Sequence, residues 1–172
     1  MKEAIEAFRL QLVVPAQREV FDCWLECRQD GLLPKRQSFN PCSIPALLPS
    51  ISIIDVLPDD RFKVRLAGTR LRDVFDREIT GLSVAELERL SNPGYWQRAC
   101  SAVVSSRMPV HGAIRSPRVT KDHLVQFWMR MPFVNEDGRI SQLLGFDVCI
   151  PSLDIDFDLA DCDQGSPDLM AI

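Results

Sequence analysis

Apolar and polar positions repeat along this chain in two rhythms, and the switches between them predict its elements. Over the first 30 residues the rhythm is helical. Ile5, Phe8 and Leu12 fall three and four apart, which predicts a short amphipathic helix over 2–13. Pro15 interrupts that helix or opens the next at its first turn. Val20, Phe21, Trp24, Leu25 and Cys27 then form one apolar stripe over 16–30, with Gly31 as a natural stop. The stripe has two readings. It packs on the chain's own core, or it forms a homodimer seam through Phe8, Leu12, Phe21 and Trp24, because a helix outside a domain must bury its apolar face somewhere.

Residues 32–50 carry Pro34, Pro41, Pro45 and Pro49, a density that forbids a long helix or a central strand. One short turn is expected from Ser43 to Leu48, capped by Ser43. The rhythm then changes to two. Ile51 to Leu57 is β-branched and strand-like. Pro58-Asp59-Asp60 signals a turn, and Phe62, Val64 and Leu66 alternate with Lys63 and Arg65, so the two segments predict a hairpin. Three helical segments follow. The first runs from Thr69 to about Asp76, the second opens at the capping box Ser83-Val84-Ala85-Glu86, and the third runs from Asn92-Pro93 to about Ser106. Strands close the pattern at 110–116, 124–133 and 140–150. Asn135-Glu136-Asp137-Gly138 supplies a hairpin turn and Pro151 stops the last strand.

This order predicts an α+β fold. Five strands make one antiparallel sheet, a helical crossover covers one of its faces, and a helical segment is added at the N-terminus. Residues 1–31 are expected as N-terminal helices, 32–150 as the sheet domain and 151–172 as an acidic, poorly ordered tail. Such a layering leaves a hollow between sheet and crossover where a small molecule can sit. Phe62, Val64, Leu66, Phe75, Trp96, Cys100, His111, Phe127, Met129 and Phe146 are its candidate lining, and they read equally well as a filled core.

The element order resembles the PAS sensor fold, and the residues sharpen the resemblance. Pro34-Lys35-Arg36, Asn40-Pro41, Ile44-Pro45-Ala46-Leu47-Leu48-Pro49, Arg65-Leu66-Ala67-Gly68-Thr69 and Arg77-Glu78-Ile79-Thr80-Gly81 look like the opening segments of a bacterial single-domain PAS branch. Leu143-Leu144-Gly145 is a further match, and the resemblance covers about residues 20–150. Asp76 departs from it, standing where that branch has Gly. The resemblance implies a signalling or sensor module and brings no catalytic residue. It assigns Gly68 and Gly81 to backbone positions that a side chain would hinder. Arg36 and Arg65 are expected to pin the proline-rich segment through its carbonyls.

Candidate chemistry is sparse. Flavin photochemistry needs a reactive Cys in an Asn-Cys-Arg setting on a helix. In Asn40-Pro41-Cys42 a proline intervenes, and the position precedes the sheet. Haem sensing uses a histidine of the crossover, yet the two histidines, His111 and His123, fall on or beside later strands. No cofactor is therefore expected, and His111 reads as a structural residue or a pH-sensitive group. Neither a Gly-x-Ser-x-Gly elbow nor a glycine-rich phosphate loop is present. An enzyme using the hollow would need His111, Gln126, Asp147 and Cys149 to converge. Cys23 and Cys27 are spaced to share a helix face, but no CxxC or HxxxH pair completes a metal site. The six thiols read as reduced, in a cytoplasmic protein without a leader or membrane span.

Charge adds one asymmetry. The net charge is -4, but residues 151–172 hold six Asp and no Lys or Arg, so residues 1–150 carry a net +2. Arg107, Arg115, Arg118, Lys121 and Arg130 lie within 24 residues containing one acid, Asp122. A body so weakly basic argues against a nucleic-acid groove; the cluster reads as a solvated hairpin or one that attracts the tail. Three functions remain from the sequence: a PAS-type module binding a small molecule or docking a signalling partner, an enzyme, and a scaffold acting through its N-terminal helices and tail.

Overall fold

The five segments of two-residue rhythm pair into one antiparallel sheet of order β2-β1-β5-β4-β3. The strands are β1 (Ile51–Leu57), β2 (Arg61–Ala67), β3 (Val110–Arg115), β4 (Leu124–Val134) and β5 (Ile140–Pro151). The structure, a computed structural model, describes residues 2–29, 31–87, 93–115 and 124–152. The tail beyond Ser152, His123, and the hairpin cations Arg118 and Lys121 lie outside these residues.

The long pair β4–β5 forms the spine, in register from Leu124 opposite Pro151 to Phe133 opposite Gln142, with a shift before Val134 opposite Ile140. Its turn is fixed by Asn135, whose Oδ1 accepts from the amides of Asp137 and Arg139 at 3.0 Å, and by Gly138 at φ 72°. Between β2 and β3 run the three crossover helices, numbered α3 (Leu71–Phe75), α4 (Val84–Leu87) and α5 (Tyr95–Ser106) after the two N-terminal helices. The Ser83–Glu86 capping box forms: Ser83 Oγ accepts from the Ala85 amide at 3.2 Å, and the Ser83 amide donates to Glu86 Oε2 at 2.7 Å. Asp76 closes α3 in the left-handed conformation (φ 59°), which a short polar side chain tolerates, so this turn forms without Gly.

The N-terminal segment makes α1 (Lys2–Gln11) and α2 (Pro15–Glu26), with Pro15 at the first turn of α2. The Arg9 fork grips Asp22 with both bonds at 2.7 Å, joining the two helices. Together they cover the sheet face opposite the crossover. Phe8, Leu12, Phe21 and Trp24 are each at most 1% exposed, packed with Ile51, Ile53, Met129, Met131, Phe133, Leu144 and Phe146. Gln17 Nε2 donates to the Trp128 carbonyl at 3.2 Å and Trp24 Nε1 to that of Pro132 at 3.1 Å. The seam reading is corrected here. These four side chains are inside the chain's own core, because a sheet apolar on both faces needs a layer on each. The expected boundary at residue 31 likewise divides no core.

Three further expectations change. The single turn over 43–48 is a series of short 3-10 turns at Arg36–Ser38, Pro41–Ser43 and Pro45–Ser50, with Asn40 Oδ1, not Ser43, capping the second by accepting from the Cys42 amide. Arg36 stacks on Phe39 and Arg65 grips Asp55 at 2.8 Å, so neither holds the proline carbonyls. The proline-rich segment is held by backbone instead: the Arg70 amide donates to the Pro49 carbonyl at 2.9 Å, and Gly68 lies so close to the Leu48 and Pro49 carbonyls that a Cβ has no room. Finally, Ile53 faces Leu66 while Ile54 faces Val64, leaving Arg65 as the extra residue of a β-bulge. The bulge breaks the alternation, and Leu66 emerges 53% exposed on an edge strand.

Trp24→Ala is expected to destabilise the chain by about 3–5 kcal/mol, the range for emptying a buried aromatic site. Leu66→Ala should change stability by less than about 0.5 kcal/mol. Chemical denaturation of both variants checks the contrast; a mild Trp24→Ala effect would mean that the N-terminal helices are not part of the core.

Candidate functional site

Strand β4 is buried along nearly its whole length, so its polar residues do not face water. Val125, Phe127, Met129, Met131 and Phe133 point to the side of the N-terminal helices. Gln126, Trp128 and Arg130 therefore occupy the crossover side, the side on which a hollow was expected. Next to β4, strand β5 brings Asp147 to the same side. Arg130 is 3% exposed and Asp147 1%.

These residues form one buried polar cluster. Arg130 Nη1 donates to Asp147 Oδ2 at 2.9 Å and Nη2 to Oδ1 at 3.1 Å, a bidentate pair across adjacent strands. Nη1 also donates to the carbonyls of Met129 at 2.9 Å and Phe146 at 3.3 Å. Gln126 Nε2 donates to Asp147 Oδ1 at 2.9 Å. Burial alone favours a neutral guanidinium, but the Asp147 carboxylate outweighs it and raises the Arg130 pKa above its ordinary value. Arg130 Nε is buried and meets no hydrogen-bond acceptor among the described residues.

Aromatic side chains enclose the cluster. The Arg130 guanidinium carbon lies 5.0 Å from the Trp96 ring and 5.6 Å from that of Trp128, within cation–π range. Trp96 and Trp128 meet edge to face at 5.5 Å, and Trp128 Nε1 donates to the Tyr95 hydroxyl at 2.8 Å. Two glycines make room. A Cβ on Gly112 would stand 2.6 Å from the Trp128 ring, and one on Gly145 would strike Ser52 Oγ. Tyr95 and Trp96 come from the first turn of α5, which Gly94 opens in the left-handed conformation at φ 81°.

The ten predicted lining residues do not share a site. Phe62, Val64, Trp96 and Cys100 are buried on the crossover side, with Phe75 partly buried against them. Met129, Phe146 and Phe127 are on the opposite side, under the N-terminal helices, and Leu66 is on the surface. A lining that includes Phe127 and Met129 rests on the assumption that the apolar half of β4 faces the crossover. In a strand covered on both sides that assumption fails, and the polar half marks the site. The signal was in the sequence: an Arg and a Gln alternating with apolar residues in one long strand, and an Asp midway along the next.

His111 also lies on the far side. Its ring meets the edge of Phe8 at 5.0 Å, and Nε2 is 3.4 Å from Gln11 Oε1. The enzyme constellation thus does not form: Gln126 and Asp147 join, while His111 is on the other face. Burial raises the Cys23 and Cys27 thiol pKa values, and Cys23, Cys27 and Cys42 are free thiols. No group of three or more metal-ligating side chains occurs among the described residues, nor a helix long and apolar enough to cross a membrane.

The family comparison agrees with this architecture. The model described as "PAS domain" matches residues 12–148. The chain belongs to the PAS domain family. Its match starts just after α1 and takes in α2, consistent with the place of α2 in the core. Among solved structures, the chain is similar to an RNA-binding light-oxygen-voltage receptor at 17% identity and a TM-score of 0.51, over 73% of this chain and 36% of that one. The chain thus spans about a third of that structure's length, and at this identity the likeness shows the fold alone. No curated protein matches the chain. PAS membership makes the chain, in general terms, a signal-sensing module.

Two predictions follow from the buried groups. Asp147→Ala is expected to cost about 3–5 kcal/mol, because it leaves the Arg130 charge buried and unpaired. The double change Arg130→Met with Asp147→Leu should recover most of that loss in denaturant titrations; equal damage from both would place the cost in packing rather than charge. For His111, burial lowers the pKa from 6.5 to about 4. The unfolded chain therefore binds the proton first, and stability is full above about pH 6.5 and falls as pH drops toward 4, by at most about 3 kcal/mol. His111→Phe should flatten that stretch of the stability–pH curve, and an unchanged slope would assign the acid sensitivity to other groups.

Proposed function

We propose that this PAS module works in the cytoplasm as a regulatory domain that docks a protein partner, and that it does so without a resident small molecule. The filled interior carries this reading. Between the sheet and α5, the volume where a ligand was expected is taken by Tyr95, Trp96, Trp128 and the Arg130 guanidinium, each at most 7% exposed. The docking surface is left to the outside of the N-terminal layer. There Leu10 is 74% and Val13 42% exposed, an apolar patch that a partner or a second copy can cover.

One observation favours a second reading, in which a small hydrogen-bond acceptor enters the interior. The orphaned Arg130 Nε offers such a ligand a donor, and Trp96, 7% exposed, is the most exposed of the covering rings. Native mass spectrometry of the purified chain, with a thermal-shift screen of metabolite classes, decides between the two. The docking reading expects the bare-chain mass and no stabilisation by any class. A co-purifying organic species, or a saturable shift that Trp96→Phe alters, would establish the ligand reading in its place.

A further inference from the structure

The sheet ends in β2 on one side and β3 on the other, and only the β2 edge is guarded. Arg61, Lys63 and Arg65 place charge along β2, and Arg65 adds a bulge. The β2 backbone is also engaged from outside. The Val64 amide donates to the Leu82 carbonyl at 2.9 Å, and the Val64 carbonyl accepts from the Gly81 amide at 2.7 Å. Charge, bulges and covering segments are the means by which an edge is kept from pairing with another chain. Strand β3 has none of them. Its run Val110-His111-Gly112-Ala113-Ile114 holds no Lys, Arg, Asp, Glu or Pro, and it pairs with β4 without a bulge. Among the described residues, no backbone hydrogen bond reaches β3 from outside the sheet.

The alternation of β4 fixes which β3 groups point outward. The Asn135 amide donates to Arg139 in the β5 hairpin, and the Val134 amide donates the other way, to Pro34. Backbone direction alternates along a strand, so Arg130, Trp128 and Gln126 turn toward β3 and bond Val110, Gly112 and Ile114. The amides and carbonyls of His111, Ala113 and Arg115 face outward. We propose that β3 pairs with β3 of a second copy, antiparallel about a two-fold axis at Ala113. Outward residues bond to outward residues, which sets Ala113 against the second copy's Ala113 and His111 against its Arg115. On the crossover face Ile114 stands opposite Gly112, which has no side chain to obstruct it. No like charges meet, because His111 is neutral near pH 7. The segment over this edge also carries the exposed Leu10 and Val13, since Gln11 meets His111 and Val14 shares a cluster with Ala113. Pairing stops at two copies, because the joined sheet ends on guarded β2 at both sides. The proposal rests on the docking reading and names a second copy as the occupant.

The experiment uses the full chain. Sedimentation over a range of concentrations is expected to show a monomer–dimer equilibrium. Ala113→Pro removes an outward donor and no bond to β4. It should weaken the dimer by roughly tenfold or more, because each copy loses a backbone hydrogen bond. Amide exchange should slow with concentration at His111, Ala113 and Arg115 and change far less at Gly112 and Ile114, which already bond to β4. Photoreactive benzoylphenylalanine in place of Arg115 should crosslink to residues 109–113 of the other copy, identified by mixing isotopically light and heavy protein. That crosslink decides the matter if Ala113→Pro fails to fold. A chain that stays monomeric, a dimer indifferent to Ala113→Pro, or crosslinks between copies only at other surfaces would each overturn the pairing. A monomer of bare-chain mass overturns the pairing alone, whereas a monomer with a co-purifying ligand overturns the docking reading as well.

Discussion

The buried pair between Arg130 and Asp147 sets the terms for the rest of the structure. A guanidinium on β4 and a carboxylate on β5 can share the interior only if each meets its partner in full, since an unpaired charge there costs several kcal/mol. The bidentate contact supplies that, Gln126 takes part of the remaining capacity of Asp147, and the carbonyls of Met129 and Phe146 take part of that of Arg130. The flat cation then needs flat neighbours, which Trp96 and Trp128 provide. Two glycines leave the space this needs, because Gly112 admits the Trp128 ring and Gly145 lies close against Ser52 and the guanidinium.

The same pair explains why the sheet needs two covering layers. With the polar half of β4 committed to the crossover, the apolar half, from Val125 to Phe133, must be shielded on the other face. Helices α1 and α2 do this with Phe8, Leu12, Phe21 and Trp24. The N-terminal segment is therefore an integral layer of the PAS domain, with Leu10 and Val13 exposed on its outside. The crossover side of the sheet is packed with the chain's own rings and charge.

Much of the fold was legible along the chain. The two-residue rhythm located all five strands to within a residue or two, and the capping box and prolines located the helices. The PAS resemblance rested on short motifs whose physical role proved to be backbone fit, as at Gly68. What the sequence hid was mostly a matter of faces. Periodicity shows that a strand has two distinct sides without showing which layer each side meets, so the pocket candidates were drawn from both. The bulge at Arg65 is invisible to alternation, because one unpaired residue moves Leu66 outward while its neighbours stay in step. The orphaned Nε of Arg130 has no signature in sequence at all, since it depends on the exact placement of the surrounding rings.

The central claim is that this module's interior is closed by its own side chains. A crystal structure of the full chain, read at Trp96, tests it most directly. The account predicts the Trp96 ring packed about 5.0 Å from the Arg130 guanidinium and edge to face with Trp128, with continuous protein density between sheet and α5. A Trp96 side chain swung away from Arg130, with a non-protein molecule lying against the exposed guanidinium, would contradict it.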